Sequence, residues 1–598
     1  MNLFIQGKMT PGSLLNRLRE TLTKNQFIFV SGIIVGLISA TGAIVLKTLV
    51  YNIHHIVTFT TTLSYQQILF LCLPFVGILL TMLFIHYVLK DNFQRGSSMV
   101  LKRIAKHSSF IDKAYTYSHV ITSALTVGFG GSAGLEAPIV VTGSAIGSNF
   151  GRIAQLSYRE RTLMLGCGAA AGIAAVFNAP IAGVMFALEV LIYDVSISSF
   201  IPLIASAAVG ALLSKIVFQE GILFYFVLRQ PFNYENLPFY FLLAVVTGIL
   251  SVHYIRMFLA VEKKFSSLKV NRFIKALIGG VLLGVLIFLF PPLFGEGYSS
   301  IKLLASGNVE KLFEAAPYAT YIKNEWVLIG AVGLIALLKT VAASITINSG
   351  GNGGNFAPTL FVGAFAGFAF SRFMNTSFGL SLPESNFTII GMAGILGGVM
   401  HSPLTAIFLI AEITGGYELM IPLMLVVAVS LVIVKQLEPF SLDKKEMAKR
   451  GEILTANKDK DILSLIDLHE IIEKDYTPLN YKSSLKELTT VISSSKRNIF
   501  PILDDNGNLM GIVSMDEIRQ FLFEIEQFTE LMVVEVMSQP TDIVQLDEGL
   551  ESVMAKFERT NSWNLPVVDG KKYIGFISKS GTLTHYRQQL KTNYTDEN

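Results

Sequence analysis

Two stretches of this chain carry residue types that could hold an anion. Residues 130–147 read GGSAGLEAPIVVTGSAIG and residues 350–367 read GGNGGNFAPTLFVGAFAG. At an offset of 220, seven positions agree: Gly130, Gly131, Gly134, Ala137, Pro138, Gly143 and Gly147 recur in the second stretch. Glycine lets backbone amides approach a ligand closely, and proline suits the first turn of a helix. Each stretch therefore reads as a loop feeding a helix N-terminus. Such a terminus offers unpaired N–H groups and roughly half a positive charge. Two of them make an anion site without lysine or arginine, whose full buried charge would hold an ion too tightly to conduct it. Glu136 is a lone carboxylate in this apolar setting, where an ionisable group is functional by default. As an anion it competes for the same amides, and protonation would release it. That makes it a gate and a candidate proton carrier; the alternative is a carboxylate that caps its own helix.

The elements that must position these residues are membrane-like. The chain has 598 residues, of which 52% are hydrophobic and 15% charged, with mean hydropathy +0.54. Soluble domains carry nearer 25% charge, which excludes a disordered chain and a wholly soluble one. The net charge of +3 is too balanced for a nucleic-acid binder. Cys72 and Cys167 both sit in apolar segments, so no disulfide framework is expected. The histidines form no HExxH pair and the glycine loops lack a phosphate-binding lysine, so neither an enzyme nor a metal centre is expected. Phe27–Leu46, Gln66–Leu89, Leu237–Arg256 and Leu419–Val434 each suit a helix crossing a lipid bilayer. Lys8, Arg17, Arg19 and Lys24 against Glu20 place the N-terminus in the cytoplasm, and no cleaved signal peptide is apparent.

Residues 129–150, 164–193, 350–373 and 390–415 are apolar but rich in Gly and Pro, the mark of broken helices around a transport site. A second repeat runs through two of them. GCGAAAGIAAVFNAPIAGVMFALE ends at Glu189, and GMAGILGGVMHSPLTAIFLIAE ends at Glu412, an offset of 223. Glu189 and Glu412, near helix ends, are expected to make structural hydrogen bonds. The expected fold is an α-helical polytopic membrane protein of two repeated halves with broken helices and a site near the midplane. After about residue 440 the composition turns polar. NIFPILDDNGNLMGIVSMDEI (498–518) and NLPVVDGKKYIGFISKSGTL (564–583) then read as a tandem α/β module. We divide the chain into a cytoplasmic segment 1–25, a membrane domain 26–452 and a cytoplasmic region 453–598, with modules at about 470–525 and 530–590.

Taken together, GLEAP, GNFAP, FNAPIAGVMFALE and the GSSMV of residues 96–100 resemble the CLC family of chloride channels and proton/chloride exchangers. GLEAP looks like that family's GREGP, GNFAP like its GxFAP, and GSSMV like an altered GSGIP. The resemblance implies a homodimer with one anion pathway per subunit. It implies that Ser97 offers a hydroxyl and that the amides of Asn355 and Phe356 hold a central anion. Amides around Leu135 and Ala137 would hold an outer anion or the Glu136 carboxylate. Ser97 is also a plausible helix N-cap.

Four residues depart from the family pattern. Val190 stands where exchangers carry an inner proton-handling glutamate, leaving Glu189 as the nearest substitute. Asp443 stands where a tyrosine hydroxyl is expected; it would repel anions unless protonated or turned away, or it is a helix N-cap facing water. Leu135 replaces an arginine. His119 replaces a common lysine, and either modulates Glu136 or is an ordinary buried histidine. The tail resembles a CBS pair, a type that often binds adenine nucleotide. Ser514 is followed by an acid, Glu517, at the ribose-binding spacing, whereas Ser578 is followed by Gly581. The alternative for the tail is a dimerising, stabilising domain.

These observations lead to small-anion transport gated by Glu136 in a plasma (inner) membrane. Passive chloride conduction is favoured by Val190, and the serine at position 97 suits chloride. Proton-coupled chloride exchange is the alternative, and a non-transporting anion sensor with CBS output is the second.

Overall fold

A backbone in hydrocarbon must satisfy its own polar groups, so apolar segments of this length fold as helices. The computed structural model describes residues 19–59, 63–106, 108–192, 197–218, 231–415, 417–449, 468–522 and 531–594. Lys8 and Arg17, and the boundary at 452/453, lie outside the described residues. The chain divides into two units, 1–452 and 453–598.

The first unit is all helix. Its helices are α1 (Lys24–Phe59), α2 (Leu63–Tyr87), α3 (Ser98–Lys106), α4 (Tyr115–Gly128), α5 (Glu136–Ile153), α6 (Tyr158–Phe177) and α7 (Pro180–Phe186). A π turn, Ala187–Leu191, completes α7. There follow α8 (Ile197–Phe218), α9 (Leu237–Ser267), α10 (Arg272–Leu289), α11 (Tyr298–Ala305), α12 (Glu325–Asn348) and α13 (Phe356–Phe378). The unit ends with α14 (Glu384–Met400), α15 (Pro403–Ile413), α16 (Met420–Leu437) and α17 (Leu442–Lys449). Nine helices among the described residues are long and apolar enough to cross a membrane. Two of these, α6 and α13, are mostly buried inside the protein, as the glycine-rich segments suggested. The breaks fall at the expected loops, between α4 and α5, α6 and α7, α12 and α13, and α14 and α15.

Glycine sets how closely the repeated helices pack. A Cβ on Gly143 would lie 2.2 Å from the Gly168 carbonyl oxygen, and one on Gly168 would lie 2.0 Å from that of Gly143. The second half repeats the contact, because a Cβ on Gly363 or Gly391 would lie 2.3 Å from the other's carbonyl oxygen. Contacts below about 3 Å with backbone cannot be relieved by a side-chain turn. Two repeats related by sequence are therefore also related by packing, α5 on α6 as α13 on α14.

The tail holds two equivalent sheets. In the first, β1 (Leu479–Asn480) runs parallel to β2 (Ile499–Leu503), which runs antiparallel to β3 (Leu509–Ser514). In the second, β4 (Val544–Gln545), β5 (Asn564–Asp569) and β6 (Lys572–Ser578) repeat that arrangement, including a bulge at the same place. Phe500, Ile502 and Val513 centre one core, and Phe557, Val567 and Ile577 the other.

Gly143→Ala and Gly391→Ala are each expected to force α5 from α6, or α13 from α14, at a cost of roughly 1–3 kcal/mol. The check is the melting temperature of the purified protein in detergent. An unchanged melting temperature for both variants would refute the close approach.

Candidate functional site

The two motif loops meet through their backbones. The Gly134 N–H donates to the Gly354 carbonyl at 2.9 Å, and the Gly354 N–H returns a bond to Gly134 at 2.8 Å. This antiparallel pair brings the N-termini of α5 and α13 face to face across a local twofold. Leu135 and Asn355 occupy the cap positions, and neither gives a side-chain bond to its own helix among the described contacts. Beside them lies a cavity of about 410 Å³. Ser97, Glu136, Ala137, Asn355, Phe356 and Asp443 all line it, so six residues singled out from sequence converge on one space. Leu135, at the cap of α5, is buried and does not line it.

Glu136 is buried, and the Tyr298 hydroxyl donates to its Oε1. Its Oε2 makes no hydrogen bond within the protein among the described residues. That oxygen lies 2.1 Å from where a Cβ on Gly134 would sit, so glycine at 134 makes room for the carboxylate. Phe356 stands at the equivalent place in the other half, packed against Phe177 with ring centroids 5.6 Å apart. Tyr254 donates its hydroxyl to Asn355 Oδ1 at 3.0 Å and fixes that cap residue.

Ser97 immediately precedes α3, at the N-cap position, and its hydroxyl donates to the Asp443 carboxylate. This corrects one sequence expectation. Asp443 lies in the first turn of α17 but does not turn to water as an ordinary cap would; it turns into the cavity. Ser97 keeps its proton and donates a charge-assisted hydrogen bond to that carboxylate.

His119 is buried in α4, its ring tilted against that of Phe93 with centroids 4.6 Å apart, and its Nδ1 lies 3.2 Å from Asn352 Nδ2. Asn352 belongs to the loop that leads into α13, so these contacts of His119 bind the halves together and do not reach Glu136. Val190 is buried in the π turn. Glu189 reaches the other half, where it accepts from Leu404 N at 2.9 Å, Thr405 N at 2.8 Å and the Thr405 hydroxyl at 2.7 Å. Glu412 reciprocates, accepting from Ile181 N at 3.0 Å and Ala182 N at 2.9 Å. Each acid caps the opposite half's short helix, where a negative charge suits the terminus.

In the tail, Ser514 and Glu517 form a capping pair for the helix Met515–Leu522. Ser514 N and Oγ donate to Glu517 Oε2 at 2.7 and 2.9 Å. The acid absent at Gly581 is supplied from elsewhere, because the Ser578 hydroxyl donates to Glu473. Glu473 pairs with Phe576 across the two modules and also holds Arg497 at 2.7 Å.

Sequence reasoning missed Tyr298, Tyr254, Glu262 and Lys339. Glu262 lines the cavity, and Lys339 is completely buried in α12. Lys339 had a signal: it is the one charge past the first residue of a long apolar helix, the same criterion that selected Glu136.

Comparison with known proteins agrees with this geometry. The family model described as voltage gated chloride channel matches residues 77–435, and the CBS domain model matches 468–524 and 533–584. A putative chloride channel protein ClcB-like of Ralstonia nicotianae is 27% identical over 360 residues, covering 59% of this chain and 80% of its own. Among solved structures, a slow cyanobacterial Cl-/H+ antiporter aligns with TM-score 0.60 and 21% identity over 72% of this chain and 98% of its own. A eukaryotic CLC transporter aligns with TM-score 0.60 and 17% identity over 95% of this chain and 98% of its own. At these identities the structural likenesses bear on fold.

Glu189→Ala and Glu412→Ala each uncap one short helix, and the repeat makes the losses comparable, roughly 1–2 kcal/mol apiece. Thermal melts of both variants in detergent check this; a loss in one variant alone would contradict the reciprocal capping.

Proposed function

We propose, from the premise that this chain belongs to the voltage-gated chloride channel family, that it conducts chloride passively along the cavity beside the α5 and α13 termini, with Glu136 as gate. The observation that carries passive conduction is the state of residues 189 and 190. Val190 is apolar and buried, and both carboxylate oxygens of Glu189 are engaged in capping α15. No proton acceptor is thereby available at the place where exchangers of this family carry one. The amides of Leu135, Ala137, Asn355 and Phe356 would stabilise the anion, and a chloride would displace the Glu136 carboxylate or follow its protonation.

Proton-coupled exchange is the second reading, and a specific observation favours it. Glu262 and Asp443 line the same cavity as Glu136 and could carry a proton in place of the missing glutamate. The remaining parts of the reading follow the resemblance: a homodimer in the plasma (inner) membrane, with the N-terminus and CBS pair in the cytoplasm. The tail is read as a dimerising module, because the Ser514 and Ser578 hydroxyls are already taken by Glu517 and Glu473.

In liposomes with independent chloride and proton gradients, the reversal potential is expected to follow chloride and ignore a tenfold proton gradient. Movement with the proton gradient would assign exchange instead, and no flux would support a sensor. Asp443→Asn removes the charge at the Ser97 end while keeping the side chain's size. It is expected to raise chloride flux by roughly tenfold, since an unscreened anionic neighbour opposes an anion by about 1 kcal/mol or more. Equal flux in the variant would show that Asp443 does not face the ion.

A further inference from the structure

The hydroxyl that meets Glu136 is held in place from the second half of the chain. Tyr298 opens α11, and its hydroxyl donates to Glu136 Oε1 in the buried interior. Its ring lies edge-on to Phe177 at the end of α6, with centroids 6.3 Å apart. A tyrosine has few rotamers, so its hydroxyl goes where the backbone of residue 298 carries it.

That backbone is set by the segment 293–297, which three other elements hold. The Gly295 N–H donates to the Gly130 carbonyl at 3.1 Å, tying the segment to the motif that leads to Glu136. A Cβ on Gly130 would lie 2.1 Å from the Phe294 ring, so that ring is seated on the glycine. Lys339 reaches across from α12, where its Nζ donates to the carbonyls of Gly295 at 2.8 Å and Leu293 at 3.4 Å. Gly297 takes φ +89°, which side chains disfavour, and a Cβ there would lie 2.4 Å from the Phe361 ring of α13. Phe361 has no room to yield, being completely buried and stacked on Phe365 at 3.9 Å.

Lys339 is itself completely buried, with its Nζ 4.8 Å from the centre of the Phe361 ring. A buried amine is costly unless its donors are used, and both carbonyls that use them lie in this one segment. Two N–H donors suffice for two carbonyls, so the clamp forms whether or not the amine carries its extra proton. Lys339, Phe361 and Tyr298 do not line the cavity, so their route to the ion runs through the carboxylate.

We propose that Lys339 and Phe361 are positioning residues for the gate: they hold the segment 293–297 so that the Tyr298 hydroxyl latches the Glu136 carboxylate at rest. The inference rests on the reading of Glu136 as the gate. Tyr298 contributes a hydrogen bond to the resting carboxylate and none once that carboxylate has swung away, so loss of the bond favours the open state.

The test is chloride flux from liposomes at neutral pH, with Glu136 intact and in a Glu136→Ala background. Tyr298→Phe removes the hydroxyl alone and is expected to raise flux roughly tenfold, the worth of one such bond. Lys339→Met keeps the side chain's length without its donors. It is expected to raise flux too, and to add nothing on top of Tyr298→Phe, because both act through one contact. In Glu136→Ala neither substitution is expected to change flux further, whereas a purely structural role would lower flux in both backgrounds. Should Lys339→Met fail to fold, Phe361→Leu loosens the same segment from α13 and supplies that arm. Unchanged or lowered flux in Tyr298→Phe, or a rise that neither Lys339→Met nor Phe361→Leu reproduces, overturns the proposal. So does a rise that persists in Glu136→Ala, because the hydroxyl would then act on the ion directly. Glu136→Ala alone separates the two ideas. If it leaves flux at the original level, the gate reading itself fails; if it changes flux while Tyr298→Phe and Lys339→Met do not, the gate stands and the clamp has no part in it.

Discussion

Two backbone hydrogen bonds between Gly134 and Gly354 hold the rest of the site in place. They place two helix N-termini against one another, which is electrostatically unfavourable unless something negative lies between or beside them. The same glycines make the link and the vacancy. A side chain at 134 would strike the Glu136 carboxylate, and one at 354 would come within 2.6 Å of the Ala137 Cβ. The geometry that brings the amides together therefore also seats the carboxylate that competes for them.

The twofold relation established there spreads outward through packing. Gly143 on Gly168 mirrors Gly363 on Gly391, and Glu189 capping α15 mirrors Glu412 capping α7. The mirror breaks where the chemistry would occur. Position 136 is glutamate and its counterpart 356 is phenylalanine, whose ring packs on Phe177 and Phe186. A symmetric scaffold with an acid on one side alone gives the pathway two unlike ends, which a gate requires.

The scaffold was largely legible in the sequence, because glycine spacing and helix breaks are local features. Each repeated motif lies where its offset placed it, and the four broken segments break as expected. The side-chain partnerships were less legible, because they join residues far apart in the chain. Asp443 meets Ser97 across 346 positions, and Tyr298 meets Glu136 across 162. Three residues after Ser578 stands Gly581, while the acid that binds that serine, Glu473, lies 105 residues earlier. Local spacing can announce a helix terminus; it carries no information about which distant carboxylate will occupy it.

Those partnerships share one form. A carboxylate accepts a hydroxyl hydrogen bond at Glu136 from Tyr298, and at Asp443 from Ser97, and both acids line the same cavity. In the proposed pathway an entering anion meets a like charge at each. Each such charge opposes the ion for as long as it stays ionised and in place. The helix termini offset part of that for a chloride at Asn355 and Phe356, but they are equally available to Glu136. Entry then requires that a carboxylate be neutralised or swing aside, and the hydroxyl partner decides where it rests when it does not. In the proposed pathway the tyrosine and serine hydroxyls would hold the two carboxylates at rest, and the amides would receive the ion once one of them moves.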